Sequence, residues 1–217
     1  MSSLPPDGPA SAIDLERRLV LQQRYAPLEI ATGIEQPNRY DLFTESGALV
    51  GRAAENSAGA EGFLTRWIFG SRRPFRMEIG LGDAAAPREI LRAERPWRWF
   101  LDRIDVAGAD GRPLGSVRQR LSLLRRRFDV LSPGGALRAR IVGPFFHPWT
   151  FVVETGPDGA GREVGRIEKR WGGLATEAFT DADTFALSLP QGDPALRRLV
   201  LAAAILVDFG YFENRAR

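Results

Sequence analysis

From Tyr40 to Lys169 apolar and polar residues alternate in short runs, and turns rich in glycine separate the runs. A period of two sends successive side chains to opposite faces, as a strand half-buried in a sheet requires. The runs come in pairs: Tyr40–Glu45 with Leu49–Ala54, Phe75–Leu81 with Glu89–Ala93, Arg103–Ala107 with Leu114–Arg120, Phe128–Leu131 with Leu137–Val142, and Phe151–Thr155 with Glu163–Lys169. Gly47, Gly82, Gly111, Gly134-Gly135 and Gly161 stand in the gaps, so each pair reads as a hairpin. Leu114 and Val117 fall on opposite faces of one run, which predicts a bulge near Gly115. An opening strand near Leu28–Gly33 and a late one over Thr184–Leu189 bring the total to about twelve, the pattern of a sandwich or a barrel. Leu15–Ala26 fits two readings: a helix capped by Asp14 with Leu15, Leu19 and Val20 on one side, or an extended lead-in.

The last element breaks this period. Asp193 can cap a helix and Pro194 suits its first position. Nine consecutive apolar residues then run from Leu199 to Val207, Asp208 ends the run, and Phe209, Tyr211 and Phe212 follow. A helix apolar on every side must be buried in protein or in lipid. A bilayer needs about 20 such residues. The run is bounded by Arg197-Arg198 and Asp208, and a carboxylate at mid-bilayer costs about 2.5–3.5 kcal/mol on the most lenient scale. A barrel of about a dozen strands is wide enough to hold a helix. The fold expected is therefore all-β with a central helix: a closed antiparallel barrel around Pro194–Phe212, with Leu199, Val200, Leu201, Ile205, Leu206 and Val207 buried. Asp208 is expected to bond to barrel backbone or to an arginine, because a buried charge needs a partner.

The chain has 217 residues, enough for one core over 13–217. Residues 1–12, rich in Pro, Ser and Ala, read as a flexible tail with no secretory pattern, which makes a cytoplasmic location the expectation. The absence of cysteine excludes disulfides, thiolate metal sites and S-acylation. A formal net charge of +3 does not point to nucleic acid. The basic residues are arginines apart from Lys169, and arginine favours bidentate contact with phosphate.

Catalytic chemistry finds no support. His147 is the sole histidine, so no histidine pair can hold a metal, and neither a phosphate-binding glycine loop nor a dinucleotide fingerprint occurs. Three aromatic stretches stand out instead: 63–69 with Trp67, 97–100 with Trp97, Arg98 and Trp99, and 145–149 with His147 and Trp149. Tryptophan and arginine together suit a headgroup layer, although large aromatics also plug barrel ends. Arg125-Arg126-Arg127 fits either an anionic headgroup or a solvated turn.

Several short stretches resemble the phospholipid scramblase family. They include Gly165-Arg166-Ile167, Lys169-Arg170-Trp171, the specific Glu177-Ala178-Phe179-Thr180-Asp181-Ala182-Asp183, and Ile205-Leu206-Val207-Asp208-Phe209. Gln22-Gln23, Asn38-Arg39-Tyr40, Arg73-Pro74-Phe75, Glu94-Arg95-Pro96 and Gly143-Pro144 precede them in family order. The resemblance implies a Tubby-like barrel around a hydrophobic C-terminal helix. It implies as well calcium-stimulated, non-specific movement of phospholipids between leaflets. The family's calcium segment would fall on Asp181 through Gly192, with Asp181, Asp183 and Asp193 as candidate Ca2+ ligands. Gly192 stands where animal relatives are acidic, and two carboxylates within the segment fall short of the six to eight oxygens calcium takes. Animal relatives carry acylatable cysteine clusters where this chain has its three aromatic stretches, so the aromatics are expected to replace lipid anchors. Two functions follow, lipid translocation or peripheral binding of anionic headgroups without translocation.

Overall fold

The computed structural model describes residues 12–24, 38–56, 74–82, 87–97, 101–122, 125–144, 146, 149–156, 161–170 and 183–208. Twelve antiparallel strands close into one barrel: β1 (Arg18–Arg24), β2 (Arg39–Thr44), β3 (Leu49–Glu55), β4 (Phe75–Gly82), β5 (Pro87–Arg95), β6 (Arg103–Gly108), β7 (Pro113–Arg120), β8 (Arg125–Leu131), β9 (Leu137–Pro144), β10 (Thr150–Thr155), β11 (Arg162–Arg170) and β12 (Thr184–Ser188). Each strand pairs with its neighbours in sequence, and β1 joins β12 from Arg18↔Ser188 to Gln22↔Thr184 to complete the ring. No strand is left with an open edge on which another chain could pair. A single turn of helix, α1 (Ala12–Leu15), precedes the barrel, and α2 (Pro194–Val207) occupies its centre.

The alternation has one sense throughout. Met77, Ile79 and Leu81 point inward on β4 between the outward Arg76, Glu78 and Gly80. Phe128 and Val130 do so on β8, and Phe185 and Leu187 on β12. They meet α2, in which every residue from Leu196 to Val207 is buried. The small Ala202, Ala203 and Ala204 let the wall approach closely. Outward positions carry charge in ladders, such as Arg76 beside Glu94 at 3.4 Å and Arg52 on Asp41 at 3.2 Å. This is the inverse of a membrane-spanning barrel, which turns an apolar band outward.

The hairpins, Thr184–Leu189 and the helix start fall where the alternation placed them. The expected bulge is present: the β6–β7 register shifts at Val106/Ala107, opposite Gly115. Gly115 has φ +148°, and a Cβ there would lie 2.2 Å from the carbonyl oxygen of Leu131 and 3.0 Å from Leu199 of α2. Only glycine fits between wall and helix.

One open reading is decided and one expectation needs correction. Of the two readings of Leu15–Ala26 the extended one holds: the helical turn Ala12–Leu15 ends where that stretch begins, and Arg18–Arg24 is the first strand, with Leu19, Leu21 and Gln23 inward. Pairing with both β2 and β12 decides between the two periods that Leu19 and Val20 leave open. The opening strand expected at Leu28–Gly33 and the tail up to residue 11 lie outside the described residues. Arg125–Arg127 is not a turn but the start of β8, registered against Gly143 and Val142 on β9.

Candidate lipid-facing end of the barrel

An up-and-down barrel sorts its connections onto two ends. Odd-numbered strands run toward the end where α2 finishes, and even-numbered strands run away from it. The helix-exit end therefore receives the connections 25–38, 56–74, 96–102, 121–124, 145–149 and 171–183. The opposite, hairpin end carries the tight turns and α1.

All three aromatic stretches fall in connections of the helix-exit end. Trp97 is 38% exposed, Trp149 40% and Phe146 87%, and Leu121 is exposed as well. Trp67, Arg98 and Trp99 lie outside the described residues. The strand termini at this end carry arginine. Exposed Arg24, Arg39, Arg76, Arg120, Arg125 and Arg170 each stand at or next to the terminus of their strand. Arg126 and Arg127 are half-buried, and Arg126 shares the inward face with Phe128. Arg125–Arg127 thus belongs to this cationic rim and not to an isolated loop. Arg24 and Arg120 carry no motif in the sequence, and Arg39 and Arg170 stand there only within short family-like stretches. Their common signal is arginine at the end of odd strands and at the start of even ones, visible only once strand direction is known.

Beneath the rim lies a buried polar cluster. The carboxyl of Asp208 is wholly buried at the end of α2 and accepts a 2.7 Å hydrogen bond from the Tyr40 hydroxyl through Oδ2, while Oδ1 has no partner. The expected backbone or arginine partner is thus replaced by a phenol from β2. Burial pushes Asp208 up from 3.8 to about 7; the Tyr40 bond works against this, Asp183 adds to it by like charge, and Lys169 opposes it. Lys169 is itself buried, 2.5 Å from Asp183 and 5.9 Å above the ring of Phe185.

The hairpin end is held differently. Arg197 is buried without a carboxylate partner and donates to backbone carbonyls, those of Ile13 at 2.5 Å, Pro190 at 2.7 Å and Glu16. Burial lowers its affinity for the proton. Arg198 binds Glu89 through Nε and Nη2 at 2.5 and 2.6 Å, and Asp14 through Nη1 at 2.8 Å. Burial works against its charge, but these two carboxylates hold the guanidinium above its ordinary value. Together the two arginines fix α1 and β5 to the start of α2.

Of the three candidate calcium ligands, the two described, Asp183 and Asp193, lie at opposite ends of α2. Asp193 is the N-cap of α2, accepting from the amide of Leu196 at 2.9 Å, and it also meets Arg138 at 2.5 Å. Gly192 before it has φ +73°, a turn requirement that explains glycine there. Asp183 lies beside Asp208, at the other end of α2, and 14 helical residues span about 21 Å. Ligands of one calcium ion lie within about 2.6 Å of it. Asp181 is outside the described residues. Among those described, no group of three or more His, Asp or Glu is placed to hold a metal. Asp183 and Asp193 therefore cannot share one ion.

The profile of the Scramblase family matches residues 3–214. Phospholipid scramblase 1 of Mus musculus is 30% identical over 212 residues, covering 91% of this chain and 61% of the mouse protein. Phospholipid scramblase 2 of Bos taurus is 31% identical, over 90% of this chain and 68% of its own. A phospholipid scramblase family protein of Schizosaccharomyces pombe is 22% identical over 98% and 64%. No solved structure matches significantly. Fold and site define a barrel with a filled core and a cationic, aromatic end. The chain belongs to the Scramblase family, and it spans about three fifths of the length of the mouse and rat relatives.

Proposed function

We propose that this protein handles phospholipids from the membrane surface, docking the helix-exit end of its barrel on an anionic bilayer. The observation that carries the reading is topological: exposed Trp97, Phe146 and Trp149, from two connections far apart in sequence, stand at the same end as a rim of exposed arginines, and the third aromatic stretch lies in sequence between β3 and β4, which meet that end as well. Arginine at a bilayer surface contributes roughly 1 kcal/mol per residue, and amphipathic rings seat at headgroup depth. The names of the relatives support phospholipids as the partner.

Translocation as the relatives' names describe it fits this geometry only with the barrel at the surface. No helix among the described residues is long and apolar enough to cross a membrane. Withdrawing α2 would expose Leu199, Val200, Leu201, Ile205, Leu206 and Val207, all buried to within 1%. At roughly 2 kcal/mol each this is about 12 kcal/mol, the whole stability of a typical domain. Withdrawal of α2 into water is then equivalent to unfolding, whereas peripheral headgroup binding leaves the barrel filled and is the activity we propose.

Vesicle flotation tests the docking. The wild type should float with vesicles containing about 30% phosphatidylserine, an anionic surface of the kind basic rims are drawn to. A Trp97→Ala, Phe146→Ala, Trp149→Ala variant with an unchanged melting profile should not. Equal flotation of the two would overturn the reading.

A further inference from the structure

On the outer wall, β5, β6 and β7 enclose a groove of about 470 Å³. Two like-charge pairs stand directly opposite each other across its strands. Glu94 on β5 is registered with Asp105 on β6, and Arg103 on β6 with Arg118 on β7. Directly opposite residues have Cα atoms about 4.5–5.5 Å apart, and like charges there destabilise a sheet. Three further like-charge pairs stand opposite each other on the barrel, Arg24 with Arg39, Arg120 with Arg127 and Glu154 with Glu163, and in each one member meets an opposite charge: Arg24 meets Asp41, Arg120 meets Asp129 and Glu163 meets Arg166. In the groove too the crowding is answered only in part. Asp105 accepts from Arg103 through Nε at 2.8 Å and Nη2 at 2.6 Å, and Glu94 holds Arg76 loosely at 3.4 Å with both side chains more than half exposed. Arg118 has no partner among the described residues. Its other cross-strand neighbour, Asp129, is engaged by Arg120 at 3.3 Å and by Arg140 at 3.7 Å.

The two pairs are consecutive rungs, about 6.6 Å apart along β6. The result is a site with a positive rung beside a negative one, with Arg92 and Ser116 also in its lining and the groove continuing toward the hairpin end past Pro113 and Pro133. A ligand that satisfies both rungs is itself a dipole, with an anion that the fork of Arg118 can hold beside the edge of Arg103 turned away from Asp105, and a cation with N–H donors for two carboxylates. The order of the rungs has a direction. The arginines lie nearer the helix-exit end, next to the connection that carries exposed Trp97, and the carboxylates lie further away. A phospholipid whose chains remain in a bilayer at that end would present its phosphate first and its terminal amine second.

We propose that this groove is a binding site for a phosphodiester headgroup ending in a primary amine, with the phosphate on Arg103 and Arg118 and the ammonium on Glu94 and Asp105. The orientation of the lipid rests on the docking reading above; recognition of the headgroup does not. A quaternary amine lacks the N–H donors, and a glycerol terminus lacks the charge, so both bind less tightly.

Solution NMR with water-soluble probes separates the two claims, since no bilayer is needed. The full-length protein is titrated with glycerophosphoethanolamine, glycerophosphoglycerol and inorganic phosphate. Saturable amide shifts confined to β5–β7 are expected for the ethanolamine probe, with affinity about tenfold above either other probe. Arg118→Gln should weaken the ethanolamine probe about tenfold. Glu94→Gln with Asp105→Asn should abolish the preference for the amine while phosphate binding persists. All four side chains face outward, and an unchanged melting profile shows that a variant is folded; the three-probe comparison on wild type decides on its own if one is not. No saturable shift, equal affinity for the three probes, or a preference that survives loss of both carboxylates would overturn the proposal. Failure here with intact vesicle flotation removes the groove and leaves the docking end standing.

Discussion

Replacing Asp208 with asparagine should make this barrel more stable at pH 8 and change its dependence on pH. The carboxyl is wholly buried at the end of α2, and only one of its oxygens meets a donor, the Tyr40 hydroxyl. Its pKa rises from the ordinary 3.8 to about 7. The folded protein thus holds a proton that the unfolded chain has already lost between those two values. Stability contributed by the protonated group is complete below about pH 4 and drains away as the pH rises through 7. At about 1.4 kcal/mol per unit the whole shift is worth about 4 kcal/mol, and roughly 2–3 kcal/mol of it falls between pH 5 and pH 8. The amide of the substituted side chain keeps an acceptor for Tyr40 and cannot ionise. Urea unfolding of wild type and Asp208→Asn at both pH values isolates the effect, because other titrating groups cancel in the difference. The midpoint of the variant relative to wild type should rise by about 1 M from pH 5 to pH 8, given typical urea slopes. A difference independent of pH would refute the burial argument, since it would mean that Asp208 reaches solvent or a cation.

Three further substitutions probe the frame of the site. Gly115→Ala forces a positive-φ residue against the carbonyl of Leu131 and against Leu199, so it should lose about 2–4 kcal/mol in chemical denaturation. Asp193→Ala removes the N-cap of α2 and the partner of Arg138, and the urea midpoint should report a loss of about 1–2 kcal/mol with no change in calcium heat by calorimetry. Arg198→Ala leaves Glu89 and Asp14 facing each other without their shared cation, and a loss of about 3–5 kcal/mol is expected from the same measurement.

Much of this architecture is written in local pattern. Alternation fixed ten strands, because inward Met77, Ile79 and Leu81 must alternate with Arg76, Glu78 and Gly80 wherever one face of the sheet is buried. The helix was legible through Asp193 and Pro194 and through an apolar run too short to span a bilayer. What stayed hidden depends on partners distant in sequence. The strand at Arg18–Arg24 is fixed by β12, more than 150 residues away along the chain, and its Leu-Val-Leu core suits either period. The phenol bonded to Asp208 comes from Tyr40, which looks like an ordinary strand aromatic. The cationic rim needs strand direction, and the opposed charge pairs of the groove need register. Neither can be read from one strand alone.

The central claim is that one particular end of the barrel meets the membrane. The chain has no cysteine, so single Phe146→Cys and Leu137→Cys variants can each take a nitroxide label at the helix-exit and hairpin ends. Both native side chains are exposed. On phosphatidylserine-containing vesicles the label at position 146 should become accessible to oxygen and shielded from a water-soluble nickel relaxant, while the label at 137 stays in water. Equal exposure of both labels to nickel, or deeper burial of the label at 137, would contradict the account.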